Sequence, residues 1–238
     1  MTDRAQDGVA LLPGFEGFYN ETYARVLAHA CHLAQNMVDA EQAVVDAYAT
    51  TAKRWDRISG YEAKEAYIRK LVRQRLAKQY RRRWRRSRAE SWGQAPSRPT
   101  DPELSAEVRL VLDLIHRLPP RQREVLALVC QEHTSEEIAQ ELGMKASTVR
   151  THLERARRRL RDTLGGAGSG ADRTDAFVPA APARRPGPAQ HGDDRITGLL
   201  YRSEAELREA LAADQARMER IRAAVASRVA GNCGRRGR

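Results

Sequence analysis

The chain is poor in aromatic residues, which make up 5% of it, and in cysteine, of which it has three. Few aromatics combined with 31% charged residues fit small helical cores better than one large core. Cys31, Cys130 and Cys233 are scattered and form no CxxC pair, which argues against a zinc ribbon and a disulfide framework. His29, Cys31 and His32 lie close together, but this group lacks a further ligand and reads as ordinary helix residues; no metal and no cofactor are expected. No apolar run reaches about 18 residues and the N-terminus has no signal-peptide pattern, so no membrane insertion is expected and the reading is cytoplasmic. There is no phosphate-binding Gly-rich loop ending in Gly-Lys-Ser/Thr, no HExxH pair and no carboxylate cluster at metal spacing. His116, His133, His152 and His191 stand apart with no companion nucleophile, so the chain does not read as an enzyme.

What the chain has in excess is positive charge, +11 overall, and its distribution is uneven. Residues 69–88 hold 11 basic and no acidic groups, and residues 150–161 hold 6 basic and 1 acidic. The stretches 1–68 and 89–149 are each net −4. Phosphate contacts are electrostatic and local to a Debye length, so two separated basic blocks suit a polyanion gripped at two places.

The second block belongs to TSEEIAQELGMKASTVRTHLERARRRL, from Thr134 to Leu160. Thr134 and Glu137 have capping-box spacing, which predicts a helix start. Ile138, Ala139 and Leu142 then share an apolar face, and Gly143 can take the positive φ of a tight turn. A second helix is expected from about Ser147, with Val149, Leu153, Ala156 and Leu160 inward and arginines on its other faces. That is the pattern of a helix-turn-helix whose second helix fits the major groove of DNA.

The whole chain reads as all-α: two small helical domains joined by a linker, the second containing the helix-turn-helix, plus a C-terminal helical extension. Residues 1–14 form a flexible lead, and 15–88 a first domain. In it a helix carries Phe18, Tyr23, Val26, Leu27 and Ala30. A second spans Asp39 to Trp55 with a capping box at Asp39 and Gln42, and a third spans about Ala63 to Arg86 with Ile68, Leu71, Val72, Leu76 and Tyr80 inward and the basic block outward. Residues 89–103 are a Pro-rich linker, and 104–164 the second domain, with Pro119-Pro120 opening a helix. Residues 165–198 read as a Gly-, Ala- and Pro-rich linker, and 199–230 as one C-terminal helix opened by a capping box at Ser203 and Glu206. In that helix Leu200, Leu207 and Ile221 repeat at sevens, broken at Asp214, and Leu211, Met218 and Val225 form a second such series. The seam predicts a partner helix, on the two domains themselves or on a regulator.

With these elements in place, residues 15–164 resemble the extracytoplasmic-function (ECF) class of bacterial sigma-70 family sigma factors. The resemblance rests on LPPRQREVL (Leu118 to Leu126), EEIAQELG (Glu136 to Gly143) and the set Thr148, Val149, Leu153, Ala156 and Arg157. It extends to DAEQAVVDAY (Asp39 to Tyr48), where Gln42 stands for the family's second Asp and Val45 for its Gln. It also extends to YIRKLVRQRLAKQYRRR (Tyr67 to Arg83), with Tyr67 for Trp, Gln74 for Asn and Lys78 for Asp. Lys145 stands where such helices often have a Ser N-cap, and Ser147 is the alternative cap.

The resemblance implies a transcription initiation factor that binds core RNA polymerase, at its beta-prime clamp and beta flap, and directs it to −10 and −35 promoter elements. An anti-sigma factor is a further partner of the kind the family has. In the −35 reader, Lys145, Ser147, Thr148, Arg150, Thr151 and Glu154 would meet the DNA at base edges or beside them, with Arg155, Arg157 and Arg158 on phosphate. Glu154 could equally pair with Arg150 or Arg158 along its own helix. In the −10 reader, Arg69, Arg73, Gln74, Lys78, Arg81 and Arg82 would line the strand, and Tyr61 would stack on a base or simply pack its loop. Trp84, inside RRRWRR, is a further stacking candidate. Asp39, Glu41 and Asp46 are the polar candidates for polymerase contact. The alternative reading is a stand-alone helix-turn-helix transcriptional regulator, which would bind its duplex unaided. A structural RNA-binding protein using 69–88 leaves the helix-turn-helix unexplained.

Overall fold

The computed structural model describes residues 14–87, 104–165 and 195–230, and at 82–87, 165 and 195 the backbone alone. The N-terminal lead, the Pro-rich linker and most of the second linker fall outside the described residues, as does the side chain of Trp84. Among the described residues there are ten helices and no strand: α1 (Phe15–Leu33), α2 (Met37–Ala52), α3 (Trp55–Ile58), α4 (Lys64–Ser87), α5 (Ala106–His116), α6 (Pro120–Cys130), α7 (Ser135–Leu142), α8 (Ala146–Gly165), α9 (Arg195–Ala213) and α10 (Gln215–Ala230).

The scarce aromatics are concentrated where α1 meets α2 and α3. Phe15 meets Trp55 edge-on at 5.2 Å, Phe18 stacks on Trp55 at 5.2 Å, and Tyr19 meets Tyr48 edge-on at 4.9 Å. Such pairs contribute about 0.5–1.5 kcal/mol each beyond the area they bury, so a few rings anchor a core otherwise built of Ala, Val and Leu. Ile68, Val72 and Leu76 of α4 complete it, while Leu71 and Tyr80 are only half-buried. The Tyr80 hydroxyl accepts the Gln35 N–H at 2.8 Å, which holds α4 beside the α1–α2 turn.

The start of α2 differs from the sequence expectation. Asn36, not Asp39, is the N-cap, its side chain accepting the Asp39 N–H at 2.8 Å. The Asp39 carboxylate turns inward instead, to the amides of Asn36 and Gln79. The helix also stops at Ala52, and Trp55 opens α3 rather than closing α2.

Helices α5–α8 gather around Val111, Ile115, Val125, Leu126, Leu128, Ile138, Val149, Leu153 and Leu160. Pro120 is the first residue of α6, where its missing N–H costs nothing.

The C-terminal extension is two helices, not one. Asp214 breaks it, its carboxylate accepting the Arg217 N–H at 2.8 Å and so capping α10. Ser203 caps nothing, because α9 already starts at Arg195 and places Ser203 in its interior, buried. The two seven-residue seams pack on the chain itself. Ile196 and Leu200 enter the α5–α8 core, whereas Leu207, Leu211, Ile221 and Val225 enter the α1–α4 core. Helix α9 therefore bridges both cores.

Direct bonds join them as well: His116 Nε2 lies 2.9 Å from the Cys31 carbonyl, and the Gln131 amide donates to the Arg25 carbonyl at 2.9 Å. At the junction Glu204 of α9 is shut from solvent, with its Oε2 at 3.3 Å from His32 Nε2. Burial pushes the Glu204 carboxyl up to about 8 and the His32 imidazole down to about 3, so burial favours the neutral form of each.

Candidate nucleic-acid interface

The helix-turn-helix forms as its residues dictate. Thr134 Oγ1 accepts the Glu137 N–H at 3.2 Å while Glu137 Oε2 accepts the Thr134 N–H at 2.8 Å, the reciprocal capping box. These bonds also hold the Glu137 carboxyl below the usual glutamate range. Gly143 closes α7 at φ 65°, ψ 43°. The chain then turns into α8 at Ala146. Ser147 is not its cap: the Lys145 carbonyl accepts the N–H groups of Thr148 (2.9 Å) and Val149 (3.1 Å). Val149, Leu153, Ala156 and Leu160 are buried as the periodicity requires.

Lys145, Ser147, Thr148, Arg150, Thr151, Glu154, Arg155 and Arg158 are all exposed, along one face of the turn and helix. Arg150 pairs with Glu136 of α7 at 2.8 Å rather than with Glu154. Both ends of that pair are well exposed, so it costs little to open. Arg157 departs from the expected row. It is half-buried, and its Nε and Nη2 are closed off from solvent without a hydrogen bond.

The basic block on α4 is not uniformly outward. Gln74, Lys78 and Arg81 are exposed, but Arg69 is 4% exposed and Arg73 half-buried. Glu141 of α7 is the reason: its carboxylate accepts from Arg69 Nη2 at 2.7 Å and from Arg73 Nη1 at 2.8 Å. Glu65 takes Arg69 Nη1 at 3.0 Å and Arg25 Nη2 at 2.8 Å. Arg82 lies in α4, but its side chain falls outside the described residues. Tyr61 is half-buried, edge-on to Tyr67 at 5.9 Å, so it packs its loop while keeping part of its ring accessible.

The acidic candidates on α2 are also engaged. Glu41 Oε1 lies 3.1 Å from Arg217 Nε of α10, and Asp46 pairs with Arg228. Asp39 is 3% exposed and bonded within the α1–α4 unit. Sequence reasoning did not find Glu141, Arg217 or Arg228, whose partners lie 68 to 182 residues away. Local periodicity carries no signal for such pairings. Among the described residues no group of three or more His, Cys, Asp or Glu could hold a metal, and no helix is long and apolar enough to cross a membrane.

Residues 109–160, which contain the helix-turn-helix, match the family model for sigma-70, region 4. The RNA polymerase sigma-E factor of Streptomyces coelicolor is 34% identical over 155 residues, covering 63% of this chain and 85% of that protein. Its counterpart in Streptomyces avermitilis is 33% identical over 155 residues, covering 63% and 84%. The fold is like that of the sigma factor RpoE of Bartonella quintana, solved with the anti-sigma factor NepR, at a TM-score of 0.52 and 22% identity, covering 63% of this chain and 97% of that one. A capped helix-turn-helix closed by glycine, a second basic helix on α4 and these similarities agree, and the chain belongs to the ECF class of sigma-70 family RNA polymerase sigma factors.

Proposed function

We propose that the protein is a transcription initiation factor that docks on core RNA polymerase and selects promoters through two DNA-reading faces, with polymerase supplying all the chemistry. The observation that carries this is the exposed polar row of α8, set opposite its buried Val149, Leu153, Ala156 and Leu160 and beside a well-capped α7. Ser147, Thr148, Arg150, Thr151 and Glu154 stand at the N-terminal end of α8, where a recognition helix meets base edges; Lys145, in the turn before it, sits beside them. Arginine pairs bidentately with guanine, glutamate accepts from cytosine N4, and each good contact discriminates by about 1–3 kcal/mol. Arg155 and Arg158, further along, hold phosphate and fix the register.

For the −10 element the accessible set is Gln74, Lys78 and Arg81 of α4, with Tyr61 as a stacking surface. Arg69 and Arg73 join this set once Glu141 releases them. Glu41 and Asp46 of α2 are the polymerase-facing acids; Asp39, the third candidate, is buried against Asn36 and Gln79 and supports the face from within. The site of action is the cytoplasm, where promoter DNA and polymerase meet.

The test is transcription from a genomic promoter library by bacterial core RNA polymerase, with and without the chain. New start sites sharing a −35 and a −10 element are the expected result. No new starts, with specific duplex binding by the chain alone, would replace this reading with a stand-alone regulator.

A further inference from the structure

The surface of α2 that carries Glu41 and Asp46 is already taken. Helix α10 lies along it, with Ile221 and Val225 buried in the same core as Val44, Val45 and Tyr48, and Met218 packed at its edge. Arginines on α10 meet the acids of this face: Arg217 with Glu41 at 3.1 Å, Arg228 with Asp46, and Arg222 with Glu16 of α1 at 2.7 Å. The Tyr19 hydroxyl donates to the Met218 carbonyl at 3.0 Å, tying the first turn of α10 to α1. This is a site for a basic amphipathic helix, filled by one.

The positions where this chain departs from its family's pattern fall on the same face. Val45 lies one helical turn from both Glu41 and Ala49 and is 6% exposed, and Gln42 stands beside Glu41. A valine here gains from being covered by an apolar helix, where a glutamine would have to be desolvated. Helix α9 adds the second half of the arrangement. Its apolar residues enter both cores and tie them together, and in that arrangement Glu141 of α7 neutralises Arg69 and Arg73 of α4.

We infer that the α9–α10 hairpin is an intramolecular competitor of core RNA polymerase: α10 occupies the polymerase-facing acids of α2 while α9 keeps the −10 face of α4 closed by Glu141. The inference rests on the assignment of Glu41 and Asp46 to polymerase contact made under Proposed function. In the closed chain the α8 row remains open, so −35 DNA has access while the α2 face does not. Polymerase and α10 exclude one another from that face, and activity follows the fraction of chains in which the hairpin has left it.

The experiment is core RNA polymerase affinity and run-off transcription for three chains: wild type, the full-length double variant Arg222→Glu/Arg228→Glu, and a deletion of 195–238. The double variant sets two like-charge pairs, against Glu16 and Asp46, at side chains about a third exposed, so the helices remain folded; circular dichroism checks this. The deletion bares an apolar face and serves as the second variant. The expected result is affinity and transcript raised about tenfold in the double variant, inside the usual range of intramolecular coupling. Wild type and double variant binding and transcribing equally would overturn the competition while leaving the sigma reading intact. Failure of all three chains to bind polymerase would instead remove the reading on which the inference stands.

Discussion

Glu141 of α7 takes two of the Arg69 nitrogens, Nε at 3.2 Å and Nη2 at 2.7 Å, across 72 residues of sequence. Both side chains are nearly closed to water, at 5% and 9% exposure. Removing one partner of such a pair leaves a desolvated charge and costs about 3–5 kcal/mol. The substitution Glu141→Gln is therefore expected to loosen α7 from α4. It should also return two arginines to the face of α4 proposed for the −10 element, so binding of single-stranded DNA by the free chain should tighten and its salt dependence should steepen. A mobility-shift titration at two salt concentrations measures this. Unchanged affinity and slope would mean that Arg69 and Arg73 do not reach nucleic acid even when released.

The proposed −35 row of α8 is expected to separate into residues that read bases and residues that hold the backbone. Arg150→Ala is expected to relax preference at one −35 position, by about 1–3 kcal/mol of lost discrimination. Arg158→Ala should weaken all sites by a similar factor and lower the salt slope by about one. Binding to a randomised −35 library distinguishes the two. A uniform loss for Arg150→Ala would place it on phosphate.

Gly143 gives a test of the turn alone. It closes α7 at φ 65°, and a Cβ added there would meet nothing within 4 Å. The cost of Gly143→Ala is thus purely that of the left-handed backbone, about 1–2 kcal/mol, while Gly143→Asn should cost less. Chemical denaturation of the three chains should rank them Gly, Asn, Ala. Equal stability of all three would show that the turn adopts another conformation.

How legible this was depended on distance along the chain. The capping box at Thr134 and Glu137, the turn at Gly143 and the inward row of α8 are local, and each is decided within a few residues. The all-α class follows from the same short-range periodicity. At Asp39 two local solutions competed: its spacing to Gln42 fits a cap, but Asn36 caps instead because Asp39 has a tertiary partner in Gln79. Ser203 failed as a cap for a related reason, since α9 begins two turns earlier and buries it. The seams through Leu200 and Leu211 announced a partner, and the partner is the chain itself. Arg69, counted among outward cations, is buried because a carboxylate on a different helix stands over it. Glu41 and Asp46 carried no mark that α10 would cover them, since complementarity between Arg217 and Glu41 exists only after folding.

The buried Glu204 makes the hairpin's attachment pH-dependent. Between its ordinary value of 4.5 and its folded value of about 8, the folded chain keeps a proton that the unfolded chain has released. Stability from this group is therefore full below pH 4.5 and declines as pH rises toward 8. His32 contributes the opposite limb: its imidazole is lowered from 6.5 to about 3, so stability declines as pH falls below 6.5. The Cys130 thiol beside them is raised by burial above 9.0 and adds to the alkaline loss only at higher pH. Thermal melting from pH 5 to pH 8.5 should show wild type losing stability toward the alkaline end. Glu204→Gln keeps the neutral shape of the side chain but cannot ionise, so its alkaline limb should be nearly flat over that range. If the variant declines with pH as steeply as wild type, Glu204 is ionised in the folded chain and α9 must then be held by a charged contact with Arg208, whose Nε lies 3.6 Å from it.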